Sequence, residues 1–260
     1  MLHAFGEALA FIKEKPTILI GVGVLLLLQA GIALLQAPIA NYFIATLDFT
    51  AVLEAFDSIQ LGGFIILMLV GLIFNFAGLL WVAQHVKVWK QPSTEKTSLQ
   101  LLKSAGLVTA FIVMVLGIII GISWVLSLLL EFLGFIGIFL VGITILVMMY
   151  AIVKFTFVVA LMGFGLDLKQ ALQQSWNLTQ NHFLQALALL VGIMLITTLF
   201  DLIVQFIIVR LDTELIAIPL NFISAVLLTT YGAAVMACAI PLQEISTMAR
   251  KHVHGKQRFG

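Results

Sequence analysis

Six long runs of apolar residues, separated by short polar segments, dominate the chain. They cover about 17–36, 61–83, 105–129, 133–153, 183–208 and 216–240. A helix needs about 20 apolar residues to cross the ~30 Å hydrocarbon core of a bilayer. The runs do not alternate apolar and polar residues, as the strands of a membrane barrel would. They therefore predict an all-α polytopic membrane protein with six transmembrane helices, the fourth of which extends apolar to residue 162.

Three polar segments with apolar residues at spacings of three and four precede the odd-numbered spans. They cover residues 2–14, 97–104 and 167–182. This spacing predicts amphipathic helices that lie in the membrane interface. We expect each of them to introduce one hairpin of two spans, giving a pseudo-threefold arrangement of three hairpins. The chain is then a single membrane domain, 1–260, that ends in a basic tail, 244–260.

Basic residues lie almost entirely on one side of these six spans. If both termini are cytoplasmic, every Lys and Arg except Arg210 falls in an inner segment. An excess of Lys and Arg is typical of cytoplasmic loops. We therefore expect a multi-pass protein of the inner (plasma) membrane with both termini in the cytoplasm.

Composition excludes several classes of protein. Apolar residues make up 62% of the chain and charged residues 10%, whereas soluble domains carry about 25% charged residues. An ordinary soluble domain and a nucleic-acid binder with a basic face are both excluded. The single cysteine, Cys238, excludes a disulfide framework. Neither metal-ligand spacing among the five histidines nor a nucleophile or phosphate-loop motif is found, so we expect no metal, no cofactor and no enzymatic activity.

Asp201 is the most conspicuous polar residue within the spans. A carboxylate in the bilayer interior costs about 3 kcal/mol on insertion scales, so it should face protein or water. Thr198 and Gln205 lie on roughly the same helical face, together with Thr197, because residues three and four apart are neighbours on a helix. Further polar residues are expected at similar depth in the outer half of other spans: Asn221, Ser224, Ser123, Ser127 and Gln29.

Two interpretations of this polar group remain open. In the first, Asp201 is a proton or cation site in a polar cavity that opens outward. In the second, the group forms hydrogen bonds between helices, which contribute roughly 0.6–2 kcal/mol each. A continuous polar path to the inner side would have to use Asn75, Thr229, Thr230 and Tyr231.

Two further polar residues are candidates nearer the inner side. Lys154 interrupts the fourth apolar run, and we favour a side chain that extends toward the inner headgroups over one that lines a cavity. Asn75 lies between Phe74 and Phe76 in the second span. A helix-packing amide is the favoured interpretation of Asn75, and a ligand contact is the alternative.

A short motif before the fifth span provides a resemblance to known proteins. The segment 171–180 reads Ala-Leu-Gln-Gln-Ser-Trp-Asn-Leu-Thr-Gln. It resembles the six-helix membrane domain associated with some glycerophosphoryl diester phosphodiesterases, and related uncharacterised prokaryotic membrane proteins. The resemblance implies a helical membrane domain without catalytic residues, because phosphodiesterase chemistry belongs to a separate soluble domain in those proteins.

Two functions are left in competition. We favour a non-catalytic membrane module: an envelope scaffold, a regulator or a lipid-handling protein. The alternative is a small transporter or channel with an outward-facing polar cavity around Asp201. A lipid-modifying enzyme ranks last, because the outer acids Glu131, Asp212 and Glu214 lack a base. Expected partners are membrane lipids, and beyond them another membrane protein or a second copy of the chain, but no nucleic acid.

Overall fold

The computed structural model describes residues 3–46, 54–91, 98–133, 135–180, 182–211 and 214–241. All regular secondary structure in these residues is helical. The helices of six or more residues are α1 (Ala4–Glu14), α2 (Thr17–Thr46), α3 (Ser58–Lys90), α4 (Ser98–Leu133), α5 (Phe135–Phe155), α6 (Val158–Gly163), α7 (Leu168–Gln180), α8 (Phe183–Leu211) and α9 (Glu214–Cys238).

The predicted all-α class with six candidate spans is confirmed. Within the described ranges, six stretches are helical, long enough and apolar enough to cross a membrane. They correspond to α2, α3, α4, α5 continued by α6, α8 and α9. Most of the helices extend beyond the predicted apolar runs. Helix α2 runs to Thr46 with Pro38 inside it, because a membrane helix tolerates an interior proline.

The polar segments before the spans differ from one another. Helix α1 is separated from α2 at Pro16, and α7 is a separate helix before α8. Residues 98–104, in contrast, belong to α4 and continue into the span without a break. The expectation of a separate interfacial helix over 97–104 is therefore wrong, because this segment has no proline or other helix breaker before the apolar run begins.

The fourth apolar stretch is broken into two helices. Helix α5 ends at Phe155, and α6 begins at Val158. At the break, the Ser175 hydroxyl of α7 donates to the Lys154 carbonyl at 2.7 Å and accepts from the Phe157 amide at 3.3 Å. These bonds satisfy backbone groups that a continuous helix would pair internally. After α6 the chain turns at Gly165, whose φ of 105° is in the left-handed region.

Helices α3 and α9 form the centre of the bundle. Helix α3 packs against α2, α4, α6 and α9, and α9 also contacts α1, α2 and α8. Helix α4 packs against α3 and α5, and α5 also contacts α7 and α8. The large buried side chains include Phe11, Leu80, Leu161, Leu189 and Ile240.

Lysines of α3 tie the short helices to one end of the bundle. Lys87 Nζ donates to the Phe164 carbonyl after α6 at 2.8 Å. Lys90 Nζ donates to the Cys238 carbonyl at 2.9 Å and forms an ion pair with Glu7 of α1. We call this part of the molecule, with α1, α6 and α7, the α1 end. Helix α1 buries Ala4, Ala8 and Phe11, whereas Leu9 is 60% exposed.

Candidate functional site: a polar groove next to an apolar cavity

A polar groove of about 380 Å³ lies between α8 and α9. Its walls are Thr197, Asp201, Asn221, Ser224, Ala225, Leu228 and Thr229. Thr197, Asp201 and Gln205 are each four residues apart, so they form one row along α8. Asn221, Ser224 and Leu228 lie at spacings of three and four along α9. The groove therefore forms where two polar rows face each other.

Two hydrogen bonds join α8 to α9 along these rows. Ser224 Oγ donates to Asp201 Oδ1 at 3.1 Å, and Gln205 Nε2 donates to Asn221 Oδ1 at 3.1 Å. Ser224 is buried, whereas Asp201, Gln205 and Asn221 are exposed. The hydrogen-bond interpretation of the sequence thus has a geometric basis. The second carboxylate oxygen of Asp201 has no hydrogen-bond partner among the residues described.

Of the remaining predicted members of the polar group, the two whose side chains are described, Thr198 and Gln29, do not line the groove. Thr198 is exposed on α8. Thr197, which was predicted on the same face, lines the groove because it lies about one turn from Asp201. Gln29 pairs with Asn75 instead, at 3.3 Å. The side chains of Ser123 and Ser127 on α4 lie outside the described part of the structure.

A second, mainly apolar cavity of about 370 Å³ lies between α3, α6, α8 and α9. The residues that line it are Asn75, Leu79, Ala83, Thr156, Val159, Ala160, Ile193, Leu228, Thr229, Gly232, Ala233 and Met236. Alanine and glycine occupy several of these positions, so the helices leave space where larger side chains would fill it. Volumes of about 300–1,000 Å³ are typical of small-molecule pockets.

The groove and the cavity share two wall residues, Leu228 and Thr229. They therefore adjoin each other along α9. The stretch of α9 from Asn221 in the groove to Met236 in the cavity is about 22 Å long at a rise of 1.5 Å per residue. Together they form a cleft, named here the α8/α9 cleft, that is polar toward Asp201 and apolar toward the α1 end.

The residues expected along a polar path to the inner side have different places. Asn75 and Thr229 line the apolar cavity. Asn75 lies near the middle of α3, and its amide donates to Gln29 Oε1 of α2, as the packing interpretation expects. Thr230 is fully buried and donates to the Val226 carbonyl at 2.7 Å. Tyr231 does not line either space.

The structure differs in one respect from the favoured interpretation of Lys154, a side chain that extends toward the inner headgroups: the residue is 3% exposed. Its amino group lies 4.7 Å from the centroid of the Trp176 ring and 5.4 Å from that of Tyr150. Helix α7 packs over the end of α5 and covers the lysine, which the apolar run alone did not indicate.

The polar part of the α8/α9 cleft offers several hydrogen-bonding groups to a ligand. These groups are the Asp201 carboxylate, the Asn221 amide and the hydroxyls of Thr197, Ser224 and Thr229. No group of three or more His, Cys, Asp or Glu residues suited to a metal ion occurs within the described ranges. No family model, curated protein or solved structure matches the chain.

The apolar cavity was not predicted from the sequence. Leu228, Gly232 and Met236 are unremarkable residues of an apolar span, and only the approach of four helices makes them a lining. The signal that could have been used is the row of small residues, Gly232 and Ala233, beside Thr229. Such residues mark places where helices approach closely or leave space.

Proposed function

We propose that this protein is a non-catalytic, multi-pass membrane module that binds a membrane amphiphile in the α8/α9 cleft. The observation that carries the proposal is the wall of Leu228 and Thr229, which is common to the polar groove and the apolar cavity. A molecule with one polar end and one apolar tail can fill both. A purely polar solute would leave the apolar cavity unfilled, and a hydrocarbon would leave the second carboxylate oxygen of Asp201 without a partner.

The polar end of the ligand should donate hydrogen bonds. Asp201 accepts one bond from Ser224 and has a further oxygen to offer, and the amide oxygen of Asn221 already accepts from Gln205. Ammonium and hydroxyl groups are suitable donors for a carboxylate. The apolar tail would extend past Thr229 toward Val159 and Met236.

The charge pattern and the short helices support a placement in the membrane. With the α1 end in the cytoplasm of a cell bounded by the inner (plasma) membrane, its lysines meet the positive-inside rule. In this proposal the six spans form three hairpins, of which those starting with α2 and α8 are introduced by the interfacial helices α1 and α7. The resemblance of 171–180 to the phosphodiesterase-associated membrane domain supports a role without catalysis.

Filling the shared wall tests the proposal. The protein is purified in mild detergent, and its bound lipids are extracted and identified by mass spectrometry. Leu228→Trp should remove an amphiphile that the wild type retains. Ile223→Trp is the matched control, because Ile223 lies on the same helix and is 53% exposed. If both variants retain the same lipids as the wild type, the cleft is not the binding site.

A second candidate function is transport of a small solute or ion. It is favoured by the extent of the cleft, which follows α9 for about 22 Å of a ~30 Å hydrocarbon core. Asp201 would then be the proton or cation site. Asp201→Asn should abolish a cation- or pH-dependent flux in liposomes, while Thr198→Val, outside the groove, should leave it unchanged. Equal flux in wild type and Asp201→Asn would reject this alternative.

A further inference from the structure

Lys154 is a buried cation without an anionic partner. It is 3% exposed at the end of α5. Within the described ranges, its amino group forms neither a salt bridge nor a hydrogen bond. An ammonium group that leaves water loses its hydration, and buried charges are normally paired for that reason.

Aromatic rings supply part of the missing interaction. The Lys154 amino group lies 4.7 Å from the Trp176 centroid and 5.4 Å from the Tyr150 centroid. Phe183 stacks on Tyr150 at 5.3 Å, and Phe155 lies 6.2 Å from Trp176, so both rings are held in place. A ring face attracts a cation, but it supplies no countercharge. The site therefore remains electrostatically incomplete.

The two rings also connect the lysine to the surface of the bundle. Tyr150 is 43% exposed and Trp176 is 42% exposed. The Tyr150 hydroxyl and the Trp176 indole N–H form no hydrogen bond with any described residue. The three side chains are neighbours, and none of their donor groups has an acceptor among the residues that the structure describes. Tyr and Trp in such positions are typical of the headgroup region of a membrane.

We propose that Lys154, Tyr150 and Trp176 form a binding site for the phosphate group of an anionic phospholipid in the leaflet at the α1 end. A phosphodiester brings one negative charge and several acceptor oxygens, which fit one ammonium group and two neutral donors. Membrane lipids carry such groups in the headgroup region, where Tyr and Trp are enriched. The site is separate from the α8/α9 cleft, and it stands whether or not the cleft binds an amphiphile.

Native mass spectrometry of the full-length protein in detergent tests the site. The protein is titrated with phosphatidylglycerol, with phosphatidylcholine and with inorganic phosphate. We expect one tight phosphatidylglycerol per chain, and a loss of apparent affinity of about tenfold or more in Lys154→Met. Lys169→Met is the matched control, because Lys169 is an exposed lysine of the neighbouring α7; its affinity should remain unchanged.

Two further variants separate binding from folding. Lys154→Arg keeps the positive charge and should keep the affinity for phosphatidylglycerol. Trp176→Leu removes the indole ring and its N–H donor, and should weaken binding several-fold. If Lys154→Met does not fold by circular dichroism, these two titrations decide. Equal affinities of wild type and Lys154→Met, or of wild type and Trp176→Leu, would overturn the site. The assignment to an anionic lipid would be overturned if phosphatidylcholine bound as tightly as phosphatidylglycerol. It would also be overturned if inorganic phosphate at a comparable concentration displaced the lipid.

Discussion

Replacing Gly163 by alanine should loosen the contact that forms one wall of the apolar cavity. Gly163 ends α6, and a Cβ atom there would lie 2.6 Å from the Ala83 Cβ and 2.8 Å from the Leu80 carbonyl oxygen of α3. Ordinary contacts begin at 3.4 Å, so α6 would have to move away by about 0.6–0.8 Å. The carbonyl oxygen belongs to the backbone of a helix and cannot rotate aside.

The magnitude follows from two opposing effects. Overpacking of a buried site costs about 1–3 kcal/mol. Alanine in a helix gains up to about 1 kcal/mol over glycine. The net destabilisation should be about 1–2 kcal/mol, which corresponds to a fall in Tm of roughly 2–8 °C for a chain of this size. The movement should also weaken the bond from Lys87 to the Phe164 carbonyl next to the site.

Thermal unfolding in detergent, followed by circular dichroism, measures this effect. Gly142→Ala in α5 is the matched control, because no atom of the described residues lies within 4 Å of a Cβ built at Gly142. Its Tm should stay the same or rise, by the equivalent of up to about 1 kcal/mol. A Gly163→Ala protein as stable as wild type, or raised in Tm as much as Gly142→Ala, would refute the close contact of α6 with α3.

Three further predictions concern single side chains. Asp201→Leu should lose the bound amphiphile but be at least as stable as wild type. The variant avoids about 3 kcal/mol of cost for a carboxylate in the membrane and gives up one interhelical hydrogen bond of roughly 0.6–2 kcal/mol. A large loss of stability would show instead that Asp201 serves packing. Lys90→Met should lower the free energy of unfolding by about 1–3 kcal/mol, because Glu7 and the Cys238 carbonyl lose the Lys90 amino group as a partner. An unchanged Tm would show that these two contacts do not stabilise the α1 end. Gly165→Ala should cost about 1–2 kcal/mol through its left-handed φ, and an unfolding curve that overlays that of wild type would argue against that turn.

The six spans were predictable because the bilayer acts as a solvent that selects for length and apolarity. The polar rows of α8 and α9 were partly predictable as well. Asp201 and Ser224 fall at similar depth on spans joined by a short loop, so their meeting needed only antiparallel packing. The structure adds which turn of each helix faces the other, and it selects Thr197 over Thr198.

The other contacts could not be predicted, because the spans are apolar on every side. Nothing in the sequence of α2 or α3 marks the faces that bring Gln29 to Asn75. Lys154 shows the same limitation. A single lysine in an apolar run gives no sign of the helix break at 156–157, or of the aromatic side chains that α7 and α8 bring to it.

Photo-crosslinking of a lipid in a nanodisc tests the central claim, that the α8/α9 cleft holds an amphiphile. The lipid carries a diazirine in its acyl chain, and adducts on the protein are mapped by peptide mass spectrometry. We expect adducts at the cavity walls, above all at Leu228 and Thr229. Leu228→Trp should abolish these adducts. Adducts confined to lipid-facing positions such as Ile223 and Leu195 would contradict the claim.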